Sequence, residues 1–148
     1  MNPAGAEAWA FPPEPSSSRK ARRRVSSALE ARHLEAVSVT VAQVVSELAT
    51  NAVLHARTPF EVRVHVLDGY VRIEVHDRTG RRPVRRYFSD QATSGRGLRL
   101  VEELCHAWGV DPDPDGDGDG DGKTVWAEVA LAGPSPAEPF EIGAAGAP

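Results

Sequence analysis

An Asp68-Gly69 pair between two runs of alternating apolar residues constrains the fold of this 148-residue chain more than any other feature. The runs cover 60–67 and 70–76, with valine at 62, 64 and 66 in the first and valine or isoleucine at 71, 73 and 75 in the second. Asp-Gly is a favoured connection between antiparallel strands because glycine accepts the positive φ of a tight turn. We therefore predict a β-hairpin, and the alternation at 125–131 predicts another strand with one covered face.

Helical periodicity surrounds the hairpin and predicts helices at 17–32, 38–56 and 97–107. The second helix carries an apolar stripe suited to a core, and a serine among 16–18 is expected to cap the first. A segment near Trp9 is expected to form an edge strand. Together these elements predict an α/β two-layer sandwich, in which helices cover one face of a mostly antiparallel sheet.

The predicted domain covers 17–131, after an extended or partly disordered segment at 1–16. A tail at 132–148, rich in Pro, Ala and Gly, is expected to be disordered. Six of the 21 acidic residues belong to an Asp-Gly repeat, which predicts a flexible acidic loop at 110–122. The repeat imitates the start of a calcium loop, but Gly122 stands where the bidentate glutamate is required.

Composition favours a cytoplasmic protein. Cys105 is the single cysteine and cannot form an intramolecular disulfide, and no stretch is expected to span a membrane or act as a signal peptide. The basic run at 19–24 could contact nucleic acid or an acidic partner. No aromatic residues are interleaved with it, so we expect a solvated helix face and no direct nucleic acid binding.

Glu47 and Asn51 lie four residues apart in the second predicted helix, so their side chains share one face. The Asn51 oxygen is a suitable ligand for Mg²⁺, and the Glu47 carboxylate can accept a proton from a nucleophile. A solvated pair is the alternative, because polar residues on a helix are mostly exposed.

Asp77 stands where the second hairpin strand ends, and there its carboxylate can accept a hydrogen bond from the exocyclic amine of a base. An Asx-type turn at 77–80 is the alternative interpretation. Further on, Gly95-Arg96-Gly97 precedes a helical run, so the backbone can approach an anion at the positive end of a helix.

Two common phosphate motifs do not fit the chain. Leu100 stands where the dinucleotide fingerprint requires its third glycine. Gly122-Lys123-Thr124 is not a P-loop, because a strand follows it instead of a helix.

In this order, the features resemble the GHKL superfamily of ATP-binding domains, also called the Bergerat fold. The closest likeness is to small actinobacterial proteins similar to anti-sigma-factor serine kinases. The segment 45–56 looks like the N box of that family, 95–101 like its lid and helix, and 122–128 like its closing strand.

The resemblance implies ATP and Mg²⁺ as cofactors and gives each residue a role. Asn51 would bind Mg²⁺, and Glu47 would be the general base toward a serine of a partner protein or toward water. Asp77 would bind the adenine amine with support from Thr124. Gly80 would form the following turn, in which Thr79 and Arg81 replace the usual glycines. The phosphates would contact Gly95, Gly97 and Leu98, together with Arg96 unless that residue is a solvated lid arginine.

The function implied by the resemblance is that of an ATP-dependent serine/threonine kinase in transcription regulation, with an anti-anti-sigma-like protein as substrate and a sigma factor as partner. The alternative is a non-catalytic, nucleotide-dependent module that sequesters a sigma factor or another regulatory partner. A homodimer is a further expectation, with the edge strand near Trp9 as its seam.

Overall fold

A computed structural model describes residues 6–78, 96–113 and 122–131, with the backbone alone at 96–99. The strands are β1 (Ala6–Phe11), β2 (Phe60–Leu67), β3 (Tyr70–Asp77), β4 (Ala107–Pro112) and β5 (Lys123–Ala130). The helices are α1 (Ser16–Glu30), α2 (Glu35–Asn51), a π-helical segment (Ala52–Ala56) that continues α2, and α3 (Arg96–Leu104).

The five strands form one sheet in the order β1-β2-β3-β5-β4, and every neighbouring pair is antiparallel. α1 packs on α2, and α2 packs on β3, β5 and α3. The helices and the covered face of the sheet share one apolar core. The predicted α/β two-layer sandwich is confirmed.

The predicted hairpin is present as β2 and β3. Gly69 has φ +95°, which is the left-handed conformation that the turn requires. On β3, Val71, Ile73 and Val75 are buried and face the helices, whereas the polar residues between them face the other side. Burial along β3 therefore alternates with the same period of two as the apolar residues in the sequence.

α1 begins at Ser16, close to its predicted start, but its cap differs from the prediction. Pro15 occupies the N-cap, and no side chain caps the helix. Ser17 lies inside the first turn, where its buried hydroxyl donates a hydrogen bond to the Pro12 carbonyl oxygen at 2.7 Å. The serine therefore ties the helix to the preceding loop instead of capping it.

The second predicted helix comprises α2 and the π-helical segment. Contrary to the sequence expectation, Glu35–Ala56 is long and apolar enough to span a membrane, with a mean hydropathy of 1.4. It is the one such helix among the described residues, and 56% of its apolar window is buried within the domain. That burial is typical of a core helix.

The third predicted helix ends earlier than expected. α3 stops at Leu104, and Ala107 begins β4, so the last three residues of the predicted helix are not helical. Gly109 fits this strand because it lies against the Trp126 ring of β5, where a Cβ would come within 2.8 Å of a ring carbon.

β4 also takes the first three positions of the acidic loop that was predicted at 110–122. The positions 114–121 and the predicted tail at 132–148 lie outside the described residues.

Candidate functional site

The C-terminal end of the long helix and the ends of three strands meet at one end of the sandwich. Phe60, at the start of β2, is opposite Asp77 on β3, and Asp77 is opposite Lys123 on β5. The π-helical segment packs on β3 and is joined to β2 by residues 57–59 alone. Asn51 therefore lies at the same end of the sandwich as Asp77.

Asn51 is the last residue of α2 before the helix changes from α to π geometry, a type of junction that is frequent at functional sites. Its side chain is only 6% exposed, and Glu47 lies one turn earlier and is partly buried. Neither side chain forms a hydrogen bond or ion pair with a protein group in the described part of the chain. Among the described residues, the one fully buried side-chain nitrogen or oxygen without a partner is Trp126 Nε1, so the Asn51 amide keeps access to solvent, where a ligand can reach it.

Asp77 is paired with a lysine of the neighbouring strand. The Lys123 ammonium lies 3.1 Å from each oxygen of the Asp77 carboxylate, in an ion pair between the C-terminal end of β3 and the start of β5. The Asp77 side chain is 1% exposed and that of Lys123 is 2% exposed. A charged pair so fully removed from water requires this close, two-oxygen geometry to offset desolvation.

Thr124 does not share the face of Asp77. It is paired in register with His76, whose side chain belongs to the polar side of the sheet. The adjacent Lys123 is the β5 residue on the Asp77 side. The support of Thr124 for the Asp77 contact stays a prediction, and in β5 the Thr124 side chain lies on the face opposite to that of Lys123.

The alternation of buried residues along β5 indicates which residue shares the face of Asp77. Val125, Ala127 and Val129 are the buried positions of β5, and counting back by twos from them reaches Lys123 and not Thr124. A lysine at this position is unexpected, because a charged residue rarely continues an apolar face.

The glycine-rich region is described in part. Gly80 and Gly95 lie outside the described residues. Arg96, Gly97 and Leu98 form the first turn of α3, so their backbone N–H groups stand at the positive end of that helix. α3 packs on α2, the helix that carries Glu47 and Asn51.

The described residues do not include a dense cluster of metal-binding side chains. Among the described residues, no group of three or more His, Cys, Asp or Glu side chains could hold a metal ion. The amide oxygen of Asn51 fits a different arrangement, in which Mg²⁺ takes few protein ligands and completes its shell with water and phosphate oxygens.

The model of the family described as histidine kinase-like ATPase domain matches residues 11–127, which is most of the chain. The protein therefore belongs to the histidine kinase-like ATPase domain family, and the predicted GHKL class is confirmed. Domains of this family bind ATP, usually together with Mg²⁺. A comparison with curated proteins finds no match.

Proposed function

We propose that the protein binds ATP with Mg²⁺ at the end of the sandwich formed by α2, β3 and α3, and transfers the γ-phosphoryl group to a serine of a small antagonist protein. The observation that carries this proposal is Asn51, a residue 6% exposed whose amide forms no hydrogen bond within the described residues and keeps access to solvent. Membership of the histidine kinase-like ATPase domain family supports the binding of ATP by this protein. The Asn51 oxygen is a suitable ligand for the Mg²⁺ that accompanies the nucleotide.

Each residue has a limited task in this proposal. Asn51 would hold Mg²⁺, which neutralises charge on the phosphates when it is bound. Glu47, one helical turn away, would take the proton of the serine hydroxyl as that oxygen attacks phosphorus. The first turn of α3 would orient the phosphates through its backbone N–H groups at Arg96, Gly97 and Leu98.

Calorimetric titration with ATP, with and without Mg²⁺, tests the binding step. We expect Mg²⁺-dependent binding that Asn51→Ala weakens at least about tenfold, because a ligand bond to a charged centre is lost. Gln43→Ala is the matched control, since Gln43 is an exposed amide on the same helix. Equal affinity of the Asn51 variant and the wild type would contradict the proposal.

A second function, a nucleotide-dependent module that binds a sigma factor without turnover, is the alternative. The Asp77–Lys123 pair engages the carboxylate expected to hold adenine, and membership of the ATPase domain family does not by itself imply phosphoryl transfer to a protein.

Phosphoryl transfer from ATP labelled at the γ-position separates the two functions. The assay would use small serine-containing antagonist proteins and free phosphate release as readouts. For the kinase, Glu47→Gln should lower transfer about 100-fold or more while binding persists. For the module, neither the wild type nor the variant should transfer label, although both bind ATP.

A further inference from the structure

We propose that the outer face of α2 and of the π-helical segment docks the serine-bearing protein, through an uncharged, apolar surface around its serine. The inference rests on the proposed phosphoryl transfer, and it adds where the protein substrate binds and what that substrate presents. The docking face consists of Ala36, Val39, Gln43, Ser46, Thr50 and Leu54, which are exposed or partly exposed.

The docking face is unusually apolar for the outside of a helical layer. Glu35–Ala56 has a mean hydropathy of 1.4, yet only 56% of its apolar window is buried within the domain. No charged residue stands between Glu35 and Glu47, whereas the neighbouring α1 exposes arginines at 19, 22, 23 and 24. Surface helices normally carry charges on the side away from the core. The exposed part of the long helix is therefore suited to contact with another protein.

Two large side chains mark the docking face. Val39 is 69% exposed and Leu54 is 58% exposed, the two highest values for large hydrophobic residues in the described part of the chain. They are about four helical turns apart, so both lie on the same side of the helix with roughly 22 Å between them. Gln43, Ser46 and Thr50 between them are neutral, so a partner that covers this face removes no charge from water.

Glu47 determines which protein covers the docking face. It is partly buried, and it borders the docking face because it lies four positions after Gln43 and three before Thr50. The other sides of α2 pack on α1, α3 and the sheet, so the outer side is open to a protein substrate.

The chemistry then brings that substrate onto the face. A serine hydroxyl that gives its proton to Glu47 must come within about 3 Å of the carboxylate. The residues on either side of the serine extend by roughly 3.3 Å each, so they reach Gln43 and Thr50, which are one turn away from Glu47. The substrate of the proposed transfer therefore covers the docking face while its serine reacts.

Synthetic peptides test the inference with the wild-type chain. The probes are peptides of about 15 residues, long enough to span the docking face, with a central serine flanked either by Leu and Ala or by Asn and Gln. Transfer is followed with Mg²⁺ and ATP labelled at the γ-position. We expect kcat/KM to be at least about tenfold higher for the apolar set, because its side chains are buried against Val39 and Leu54. Equal values for the two sets would overturn the inference.

Substitutions at Val39 separate docking from chemistry. Val39→Glu and Val39→Lys each place a charge in the docking face, so both should raise KM for the apolar peptides at least about tenfold. The kcat and the ATP affinity measured by calorimetry should stay at their wild-type values, since Val39 lies about two turns from Glu47. Leu67→Glu is the matched control, because Leu67 is an exposed hydrophobic residue on β2, and it should leave KM unchanged.

Three further outcomes would contradict the inference. A wild-type KM in both Val39 variants would overturn it and leave the proposed transfer intact. A wild type that binds ATP but labels no peptide would remove the proposed transfer and the inference with it. A wild-type dimer that Val39→Glu converts to a monomer, as seen by light scattering, would assign the docking face to a second copy of the chain.

Discussion

Two glycines with positive φ have different surroundings. Gly69 has φ +95° in the hairpin turn, and an added Cβ there would meet no atom within 4 Å. Gly122 has φ +118°, and its added Cβ would lie 2.6 Å from the Asp77 carbonyl oxygen and 2.7 Å from an Asp113 carboxylate oxygen. A residue with a Cβ would have a strained backbone at both positions, but of the two its Cβ would clash with other atoms only at Gly122.

We therefore expect Gly122→Ala to destabilise the protein more than Gly69→Ala. The Gly69 variant should lose about 1 kcal/mol, the usual effect of a left-handed conformation on a residue with a Cβ. The Gly122 variant should lose about 2 kcal/mol more, because the backbone of β3 or β5 must move. Urea unfolding measures both, and equal losses would show that the strands separate freely at this point.

Individual site residues differ in how far the sequence predicts them. Glu47 and Asn51 share a helix, so their spacing alone places them on one face. The contact between Asp77 and Lys123 joins residues 46 positions apart. It depends on the register of two strands that are not consecutive in the chain, and no local pattern in the sequence specifies that register.

The face of the sheet opposite to the helices carries a network of ion pairs across β3 and β5. Arg72 donates hydrogen bonds to Glu74 at 2.9 Å and to Glu128 at 2.8 Å, and its guanidinium lies 4.3 Å from the centre of the Trp126 ring. Burial raises the pKa of Glu74, but hydrogen bonds from Arg72 and His65 outweigh it and hold that pKa below the ordinary 4.5. The charged form of Glu74 is thus favoured by folding.

Glu74→Gln should lower the free energy of unfolding by about 1 kcal/mol at neutral pH. Because the pKa is lower in the folded state, the contribution of Glu74 is present above 4.5 and lost as the pH falls through the folded value. The difference between variant and wild type should therefore shrink in acid.

Urea titrations at a series of pH values measure this difference. Glu61→Gln is the control, since Glu61 pairs with Arg63 at a more exposed position and should change stability little. A difference that is independent of pH would contradict the assigned role of the carboxylate.

Among the elements, the hairpin and the long helix were predictable because each has a long, regular apolar period. The end of α3 was not, because the run from Leu98 to Trp108 keeps apolar residues at helical spacing beyond Leu104. Pairing of β4 with β5 overrides that local preference. Such tertiary competition cannot be judged from a single segment.

The reactivity of Cys105, the single cysteine, depends on the packing of the whole domain. Cys105 directly follows α3 and packs against the core, and burial raises the pKa of its thiol from 9.0 to about 12. The reactive thiolate is correspondingly scarce in the native protein.

Alkylation of Cys105 by iodoacetamide at pH 8 should be roughly 1,000-fold slower in the native protein than in urea-unfolded chains. Binding of ATP with Mg²⁺ should slow it further if labelling requires global opening, since ligand stabilises the native state. Mass spectrometry of labelled protein gives the rates. Similar rates in native and unfolded protein would show that α3 detaches easily from the sheet.

The strand order β1-β2-β3-β5-β4 also sets an order of assembly during synthesis. A chain growing from its amino terminus can pair β1, β2 and β3 early, but β4 emerges before β5, the strand that joins it to the sheet. β5 must then enter between β3 and β4, and its first residue is Lys123. Lys123 thus reaches Asp77 only when the sheet itself is completed.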